Sequence, residues 1–545
     1  MELAEGFIHD LIQLEEGVVM YDAHLKTNVL VRAPVILIIG DNPRHSKILS
    51  HMGSTANKFC RMCMCDKTTT TTIVGRLRTK ESSNTQISLI TMADEKRKRT
   101  LRTKYGLYDV YNPLFQLSVD LYRSTPIDCL HTILLGGYKY MFRDLMERLT
   151  ARQKQEVSAS IDQFPRSGLD IHINGSMTRY HQSCVGRDFK ALAQIAPFVL
   201  RRYLSDGERE IWLHLSKVFK GAYSHSATTT SIKKLSTSCT SLLQSLKSHK
   251  SHMLNKPKFH LLLHLAENVK DFGPPSVFNA ERCETFNGIM REQNLHSNRQ
   301  ASSRDIANRF ATLEQLRYLC QGGVDPNKST VRCGKGLTHL IKEPSLQSFL
   351  GMPGPGHGQK DIAQHGAPRK IYKQRVSFND LELHLHTGII PLGQARMNGT
   401  MVLTYMARSE IIQPYKAVYA QEVGVIDVGN YISFQRYDNV EYGRLVACFC
   451  QDGTQAQILV QRLIPTTRQN EENCTTLHIL PNISQIDATY IIIPISIIHE
   501  CTSNCKYVQG ATYLAERQSI TTEKKLTLEH DYSNCLFCLN EYALN

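Results

Sequence analysis

The sequence predicts an α/β core that carries a large all-α insertion and is followed by a mainly β domain at the carboxyl end. Three observations lead to this prediction. Residues 35–40 form an all-apolar run that ends at Asp41, as a buried strand of an open sheet would end. From about residue 95 to residue 350 the apolar residues follow mostly helical spacing. After a stretch rich in Pro and Gly at 351–358, the spacing changes to short β-type runs.

The elements at the start of the chain follow from apolar spacing and turn residues. Residues 2–16 have the periodicity of an amphipathic helix, which Gly17 ends. Residues 18–21 and 28–32 predict two strands around a turn, and the second strand is expected to continue into the run that ends at Asp41. Later helices are predicted at 191–204, 208–219, 240–248 and 258–269.

These elements divide the 545 residues into five parts. They are a partial α/β core at 1–66, a helical insertion at 67–257, a second helical stretch at 258–350, a linker at 351–370 and a mainly β domain at 371–545. The longest apolar run, at 490–498, is far shorter than the ~20 residues of a membrane-spanning helix, so no membrane partner is expected. The start of the chain does not resemble a signal peptide, so the 16 cysteines are expected as thiols or metal ligands in a reducing compartment.

The net charge of +14 is unevenly distributed along the chain. Residues 371–545 contain 13 Lys and Arg against 17 Asp and Glu, which leaves 51 basic and 33 acidic residues, a net charge of +18, in residues 1–370. A basic front indicates a polyanionic partner such as DNA, and a solvated basic surface is the alternative. The candidates for contacts with a nucleic-acid backbone are Lys96, Arg97, Lys98, Arg99, Arg291, Arg299 and Arg304. The first four also fit a nuclear import signal or a charged loop.

Two residue pairs have the spacing of zinc ligands. Cys60 and Cys63 form a CxxC, and His260 and His264 form an HxxxH that places both imidazoles on one helical face. Together they predict a structural Zn²⁺ site that joins the insertion to the core, with Cys65 as a spare thiol nearby. The alternative is two core cysteines and two core histidines.

Further candidate ligands lie in two other places. Asp128 and His131, one turn apart at the start of a predicted helix, are either a metal-proximal pair or a capping acid with its neighbour. Near the carboxyl end, two cysteine pairs suggest a second four-ligand set, with buried thiols as the favoured alternative and two histidines close by. The residues concerned are Cys501, Cys505, Cys535, Cys538, His499 and His530.

Eight short motifs occur in order along roughly the first three hundred residues. They are GDNPRHS (40–46), FCRMC (59–63), PIDCLH (126–131), KFHLLLHL (258–265), FGP (272–274), ERCETFN (281–287), HSNR (296–299) and SRDIA (303–307). In this order they resemble the DDE transposases of the CACTA (En/Spm) superfamily, and especially its fungal branch called Plavaka. No single motif is diagnostic, but the ordered set is fairly specific.

This resemblance implies a ribonuclease-H-like core, split by the helical insertion, with catalytic acids on two strands and on a helix beyond the insertion. Asp41 matches the second acid, and Glu281 matches the third, with Glu284 as a close competitor. Such acids hold two Mg²⁺ or Mn²⁺ ions that activate a water or a 3′-hydroxyl for attack on a phosphodiester. No residue of this chain stands where the first acid is expected, since the predicted opening helix already begins at Glu2, so the core is expected to be incomplete.

The leading hypothesis is therefore a transposon-derived, nuclear DNA-binding protein that is related to DDE transposases and lacks cleavage and strand transfer on its own. Mg²⁺ or Mn²⁺ would bind only if the site were completed, and a homo-oligomer is a further expected partner. Two alternatives stay open. One is an active transposase whose first strands lie upstream of this start, and the other is a zinc-containing chromatin or protein-interaction module.

Overall fold

The chain folds into a mainly helical front and a mainly β carboxyl part, as the change in apolar spacing predicts. The computed structural model describes residues 2–22, 25–66, 72–169, 173–295, 300–320, 367–371, 375–399, 402–403, 411–420, 423–451, 456–501, 505–516, 519–532 and 536–544, with residues 336 and 343. The helical region and the β domain are confirmed, whereas the arrangement of strands does not establish a ribonuclease-H-like core.

The described helices follow the chain from its first residues. They are α1 (Glu2–Glu16), α2 (Asn42–Ile48), α3 (Lys80–Thr91), α4 (Glu95–Tyr105), α5 (Lys139–Arg148), α6 (Ala151–Asp162), α7 (Gly186–Ala193), α8 (Ala196–Val199), α9 (Asp206–Ala222), α10 (Thr229–His249), α11 (Pro257–Leu261), α12 (Leu265–Phe272), α13 (Glu281–Leu295), α14 (Ser302–Cys320) and α15 (Leu392–Met397). A wider π-helical segment, Leu130–Tyr138, runs directly into α5. Thr150, Ser205 and Thr228 start α6, α9 and α10 with capping boxes, which satisfy the free amides of each first turn.

The apolar run that predicts a strand at the front of the chain has a different structure. Residues 32–41 contain no strand, so the predicted strand at 35–40 is wrong. A buried strand needs neighbouring strands for its backbone groups. Here the amide of Ile38 donates instead to the carbonyl oxygen of Ser124, 2.8 Å away in a loop. Ile36 is 66% exposed, whereas Val35, Leu37 and Ile38 are half-buried against two apolar clusters, so the run lies at the edge of the core.

The helical front is held together by one large apolar cluster. Aromatic side chains fill its centre, and each contributes about 1.5–3 kcal/mol when it leaves water. The largest of them are Trp212, Tyr138, Phe142, Phe189, Phe219 and Phe259. Tyr138 packs against both Trp212 and Phe219, with ring centroids 5.8 Å and 6.0 Å apart. The π-helical segment, α9 and α11 are therefore parts of one core.

The strands are almost all antiparallel. They are β1 (Val18–Asp22), β2 (Thr27–Val31), β3 (Pro368–Ile371), β4 (Val376–Ser377), β5 (Glu382–Leu385), β6 (Gly388–Pro391), β7 (Val402–Leu403), β8 (Ile411–Ala420), β9 (Gly424–Asp427), β10 (Tyr431–Arg436), β11 (Asn439–Cys450), β12 (Gln457–Gln469), β13 (Thr475–Asp487), β14 (Ile491–Pro494), β15 (Ile497–His499), β16 (Lys506–Glu516), β17 (Ser519–Glu529) and β18 (Leu536–Leu539). A 12-stranded sheet has β14-β10-β11-β12-β13-β18-β15 as its main path, and only β7 pairs in parallel, with β13. Separate two-stranded pairs are β1 with β2, β5 with β6 and β16 with β17.

The β domain packs directly on the helical front. Cys474, Ile498, Cys538 and Tyr542 belong to the same apolar cluster as the helices. The side-chain amide of Asn540 donates to the carbonyl oxygen of Gln194 at 3.0 Å. Of the predicted linker at 351–370, residues 351–366 lie outside the described part, and β3 already begins at Pro368. The two regions therefore share a core, although their strands and helices are separate along the sequence.

Helices α13 and α14 lie outside this core. None of the described side chains of α14 is buried, and α14 meets α13 through Phe286 and Phe310, whose ring centroids are 5.1 Å apart. Among the residues that the structure describes, no helix is both long and apolar enough to cross a membrane.

A small ion-pair cluster fixes the start of α9 within the helical front. Glu208 pairs with Arg148 and with Lys250, whose Nζ atom lies 2.9 Å from Oε1 of Glu208. Burial alone would raise the pKa of Glu208, but hydrogen bonds from Lys250 and Ser205 and the charge of Arg148 lower it to about 2. Because this folded-state pKa is depressed, the cluster stabilises the fold above the ordinary pKa of 4.5 and loses that contribution as the pH falls through about 2.

Replacing Glu208 with Gln should lower the free energy of unfolding at neutral pH by about 2 kcal/mol, because Arg148 and Lys250 lose one anionic partner and keep only Asp144. The difference from wild type should shrink below pH 4.5 and vanish near pH 2. Denaturant unfolding across this pH range, followed by circular dichroism, measures it. Glu210→Gln is the matched control, since this side chain on the same helix is 51% exposed and should change little. An equal effect of Glu208→Gln at pH 7 and pH 2 would contradict the assignment.

Candidate metal centre and the residues around it

Cys60 and Cys63 lie in a loop without regular helix or strand, which backbone hydrogen bonds hold to the residues that follow it. The amide of Met64 donates to the carbonyl oxygen of Arg76, and that of Arg78 donates to the carbonyl oxygen of Met62. The amide of Met62 also points at Sγ of Cys60, 3.4 Å away. Amides that donate to sulfur stabilise thiolates, and they are a common outer shell of metal-bound cysteines.

His260 and His264 come from a tightened helical segment. Helix α11 ends at Leu261, a 3₁₀ turn covers Leu262–His264, and α12 begins at Leu265. The two imidazole rings lie on one face, with centroids 5.4 Å apart, and the ring of Phe59 packs edge-on against His260. Both imidazoles are buried, and Nε2 of each faces one of the two cysteines.

The four side chains converge as the spacing of the two motifs predicts. Sγ of Cys60 lies 3.5 Å from Nε2 of His264, and Sγ of Cys63 lies 3.3 Å from Nε2 of His260. All four ligand atoms lie within 4.8 Å of one another, and all four residues are buried. Tetrahedral Zn–S and Zn–N bonds separate sulfur from nitrogen by about 3.6 Å. The donor set and its dimensions therefore fit a structural zinc ion.

The charge of the cluster depends on the protonation of its two cysteines and two histidines. Burial raises the pKa of the Cys60 thiol well above its ordinary value, whereas hydrogen bonds from Cys60 and Cys65 lower the pKa of Cys63. Burial lowers the pKa of His264, which keeps that imidazole neutral and able to coordinate. Two thiolates and two neutral imidazoles carry a charge of −2, which Zn²⁺ would neutralise in this buried place.

Arg61, between the two cysteines, joins the metal centre to its surroundings, and sequence reasoning missed it. Its buried guanidinium donates to the side-chain oxygen of Asn42 at 2.9 Å, to the carbonyl oxygen of Thr125 at 2.7 Å and to that of Pro126 at 3.1 Å. Arg61 thereby links Asn42, which follows Asp41, to residues 125 and 126, which lead into Asp128. An Arg between the two cysteines of a CxxC is expected to be exposed to solvent. The spacing therefore does not indicate that Arg61 is buried and links neighbouring segments.

Asp128 is a capping acid that starts two helical segments at once. Its carboxylate accepts from the amides of Leu130 and His131 and, across the fold, from the amide of Ala280 directly before α13. The same carboxylate accepts from Nδ1 of His131 at 2.6 Å. Burial would raise the pKa of Asp128, but the bonds from His131 and Ala280 lower it, and the Asp128 bond raises the pKa of His131. Asp128 therefore acts as a capping acid and also pairs with His131, and a metal-proximal role for the pair stays a prediction.

The three candidate catalytic acids have different surroundings. Asp41 caps α2 by accepting from the amide of Arg44 at 2.8 Å, and its charge helps raise the pKa of His131 after the larger effects of Asp128. Oε1 of Glu284 lies 3.9 Å from Nε2 of His131. Glu281 faces another way, where it accepts from the hydroxyl of Tyr223 at 2.8 Å and from Lys190 at 3.3 Å. Glu284 therefore lies beside His131 and Glu281 does not, and a catalytic role for any of the three acids stays a prediction.

Among the candidate metal ligands, the cysteines and histidines converge and the carboxylates do not. In the described ranges, the only groups of three or more acidic, His or Cys ligand atoms within 4.8 Å of one another consist of Cys and His. Asp128 and His131, predicted as possible metal neighbours, are paired with each other, and the carboxylates of Asp41, Glu281 and Glu284 form no such group.

The candidate nucleic-acid contacts lie on exposed helices. The basic run at 96–99 is in α4 rather than in a loop, and none of the residues of α4 is buried. Lys98 pairs with Glu95 and Asp109, whereas Lys96, Arg97 and Arg99 point to solvent without an ion pair to any described residue. Arg291 in α13 and Arg304 in α14 are exposed as well. Arg299 lies outside the described residues.

No protein-family model matches the chain, and no curated protein matches it significantly. The resemblance to CACTA-type transposases therefore rests on the ordered motifs alone.

Removing one ligand of the cluster should remove about one equivalent of zinc per chain, because three protein ligands hold the ion far less tightly than four. Cys60→Ser and His264→Ala should each show this loss by elemental analysis of the purified protein, together with a lower melting temperature. Cys65→Ser is the matched control, since Cys65 is buried in the same loop but outside the four-ligand group. Equal zinc in wild type and Cys60→Ser, or equal loss in Cys65→Ser, would contradict the ligand set.

Proposed function

We propose that the protein is a transposon-derived, nuclear DNA-binding protein, related to the CACTA-type DDE transposases, with a ribonuclease-H-like core that is present only in part. The observation that carries the proposal is the meeting of residues from four motifs that are far apart in the chain. Asp41, the Asp128–His131 pair, Lys258 and Glu284 share one small region beside the metal centre.

Lys258 supports this reading because it brings a positive charge to the same region. Its Nζ atom donates to the carbonyl oxygen of Leu135 at 3.1 Å, and burial lowers its pKa while the charges of Asp128 and Asp41 oppose that shift. A Cβ on Gly136 would meet the Lys258 side chain at 2.9 Å, so glycine provides the room for its stem. An ammonium group beside carboxylates is suited to hold a phosphate that approaches the acids.

The contacts with DNA that we propose are to its backbone. Three exposed cations, Lys96, Arg97 and Arg99, lie on α4. Arg291 is exposed on α13 and Arg304 is exposed on α14. Exposed cations of this kind bind phosphates irrespective of base sequence. The net charge of +18 on residues 1–370 supports such binding, whereas the acidic residues 371–545 do not.

The proposed protein does not cut DNA by itself. Asp41 and Glu284 are the residues that would hold Mg²⁺ or Mn²⁺, which supply an activated water or 3′-hydroxyl for attack on a phosphodiester. Two metal ions placed for in-line attack on the scissile bond require a third acid that bridges them. In the part of the chain that the structure describes, no three carboxylates bring oxygen atoms within 4.8 Å of one another.

We expect the protein to bind double-stranded DNA without sequence preference, and its affinity to fall steeply with salt as counterions are released. Changing Lys96, Arg97 and Arg99 together to Ala should reduce the slope of log K against log[salt] by about 1 per lost phosphate contact, hence by up to about 3. Fluorescence anisotropy between about 50 and 200 mM salt measures both quantities.

The matched control keeps the charges and changes the side chains, with Lys96→Arg, Arg97→Lys and Arg99→Lys in one protein. It should retain the salt slope of the wild type, because a phosphate contact depends mainly on charge. Unchanged binding by the triple Ala variant would remove α4 from the proposed surface. No binding at low salt would contradict the proposal and favour a zinc-containing chromatin or protein-interaction module.

We expect no nicking of supercoiled plasmid with Mg²⁺ or Mn²⁺, because two acids cannot hold two metal ions in line with the scissile bond. Agarose gels of time courses at equal protein and plasmid concentrations measure this. Asp41→Ala and Glu284→Gln are the informative variants, and Glu281→Gln is the control because Glu281 faces Tyr223 and Lys190. If wild type nicks the plasmid, and Asp41→Ala and Glu284→Gln abolish nicking while Glu281→Gln does not, the result would favour an active transposase.

A further inference from the structure

A second group of Cys and His side chains lies at the base of a long two-stranded ribbon in the β domain. The ribbon consists of β16 and β17, which pair over eleven residues each. Cys505 stands directly before β16 and His530 directly after β17, whereas His499 ends β15 and Cys501 follows two residues later. The ribbon thus leaves the sheet and returns to it through these four residues.

The geometry of this group resembles that of the first metal centre. Sγ of Cys501 lies 3.4 Å from Nδ1 of His530, and Sγ of Cys505 lies 4.0 Å from Nδ1 of His499. The ring centroids of the two histidines are 5.1 Å apart, and all four ligand atoms lie within 4.8 Å of one another. The longer of the two distances exceeds the tetrahedral value of about 3.6 Å by a few tenths of an ångström, which small side-chain rotations can close.

The environment of the group also fits a bound cation. The amide of Asp531 points at Sγ of Cys505 from 3.3 Å, as the amide of Met62 points at Sγ of Cys60 in the first centre. His499 and Cys505 are buried, and Cys501 is exposed, so an ion could enter from the Cys501 side. Two thiolates and two imidazoles are the donors that Zn²⁺ prefers, whereas Mg²⁺ and Ca²⁺ require oxygen ligands.

We propose that His499, Cys501, Cys505 and His530 bind a second, structural zinc ion. Four protein ligands complete a tetrahedral shell and leave no position for substrate, which separates a structural site from a catalytic one. The ligand set differs from the cysteine pairs that spacing suggests. Cys538 lies in β18 and is buried in the cluster shared with the helices, and Cys535 is outside the described residues.

The second zinc ion would fasten the ribbon where it meets the helical front. Oη of Tyr507 in β16 lies 2.6 Å from Oγ of Ser160, and the amide of Leu528 in β17 donates to Oε1 of Gln163 at 2.6 Å. Both ribbon residues are within three positions of a proposed ligand. The ion would therefore fix the ribbon against α6 and the residue that follows it, and it would couple the β domain to the helices.

A cavity of about 680 Å³ adjoins this group, between the sheet and the helical front. All four proposed ligands line it, together with Arg201, Arg202 and Arg209 from the helical side. A cavity this large at the junction of the two regions removes packing contacts that would otherwise stabilise the junction. A metal cross-link at its edge compensates for that loss.

The test is the zinc content of the full chain and its single variants, measured by elemental analysis after removal of loosely bound metal. We expect two equivalents in wild type, one in His530→Ala, one in Cys501→Ser and one in Cys60→Ser. Cys501→Ser is the safer of the two variants in this group, because Cys501 is exposed and its replacement should not disturb a core. Combining Cys60→Ser with Cys501→Ser should remove both equivalents.

His386→Ala is the matched control, since His386 also lines the cavity and packs against Phe537 at 5.9 Å but is outside the ligand group. It should keep both zinc ions. A second readout is limited proteolysis, in which cleavage within residues 500–530 should increase in Cys501→Ser but not in Cys60→Ser or His386→Ala.

Wild type with a single equivalent that Cys60→Ser removes would overturn the second site and leave the first intact. Unchanged zinc in both His530→Ala and Cys501→Ser would overturn it as well, as would a Cys501–Cys505 disulfide found by mass spectrometry in protein purified under reducing conditions. None of these outcomes depends on DNA binding, so the second site can fail or succeed independently of the proposed function.

Discussion

The arrangement of the helical front depends on the contact between the loop at 60–63 and the helical segment at 260–264, which are some two hundred residues apart in the sequence. Cys60 and Cys63 face His264 and His260, which are 204 and 197 residues further along the chain. The loop has little regular structure of its own, so side chains must hold it. Burying thiolates without a counter-ion costs several kcal/mol, and a zinc ion at this site would neutralise them and cross-link the loop to the helix. The position of the neighbouring acids follows from this contact.

Arg61 and Asp128 extend the constraint to the surrounding segments. Arg61 connects the loop to Asn42 and to the carbonyl groups of Thr125 and Pro126, and Asp128 then caps both its own helical segment and the start of α13. Because α13 begins at a fixed point, Glu284 faces His131 while Glu281, three residues earlier, faces Tyr223. The hydrogen bonds made by a buried Arg and a buried Asp therefore help to decide which of the two glutamates faces His131.

The zinc spacing could be read from the sequence because it reflects local geometry. CxxC places two sulfurs within reach of one ion, and HxxxH places two imidazoles on one helical face, in any fold that contains them. The strand predicted at 35–40 failed for the opposite reason. An apolar run is a strand only where neighbouring strands accept its backbone hydrogen bonds, and Ile38 bonds instead to a loop residue, Ser124. The second Cys and His group could be predicted only in part. Its two histidines lie near the cysteines in the sequence, but Cys538, which the spacing also suggests as a ligand, is buried in the core.

By itself the sequence determined the helical front, the β carboxyl part and the four residues of the first candidate metal centre. These features depend on periodicity and on short spacings, which act within a few residues. Only the tertiary structure decided that both regions share one core, that Arg61 is buried, that Glu284 rather than Glu281 lies beside His131, and that His499 and His530 complete the group at the ribbon. Each of these outcomes is a contact between residues far apart in the chain or a choice between neighbouring side chains. Such contacts depend on the three-dimensional path of the backbone, which no local pattern encodes.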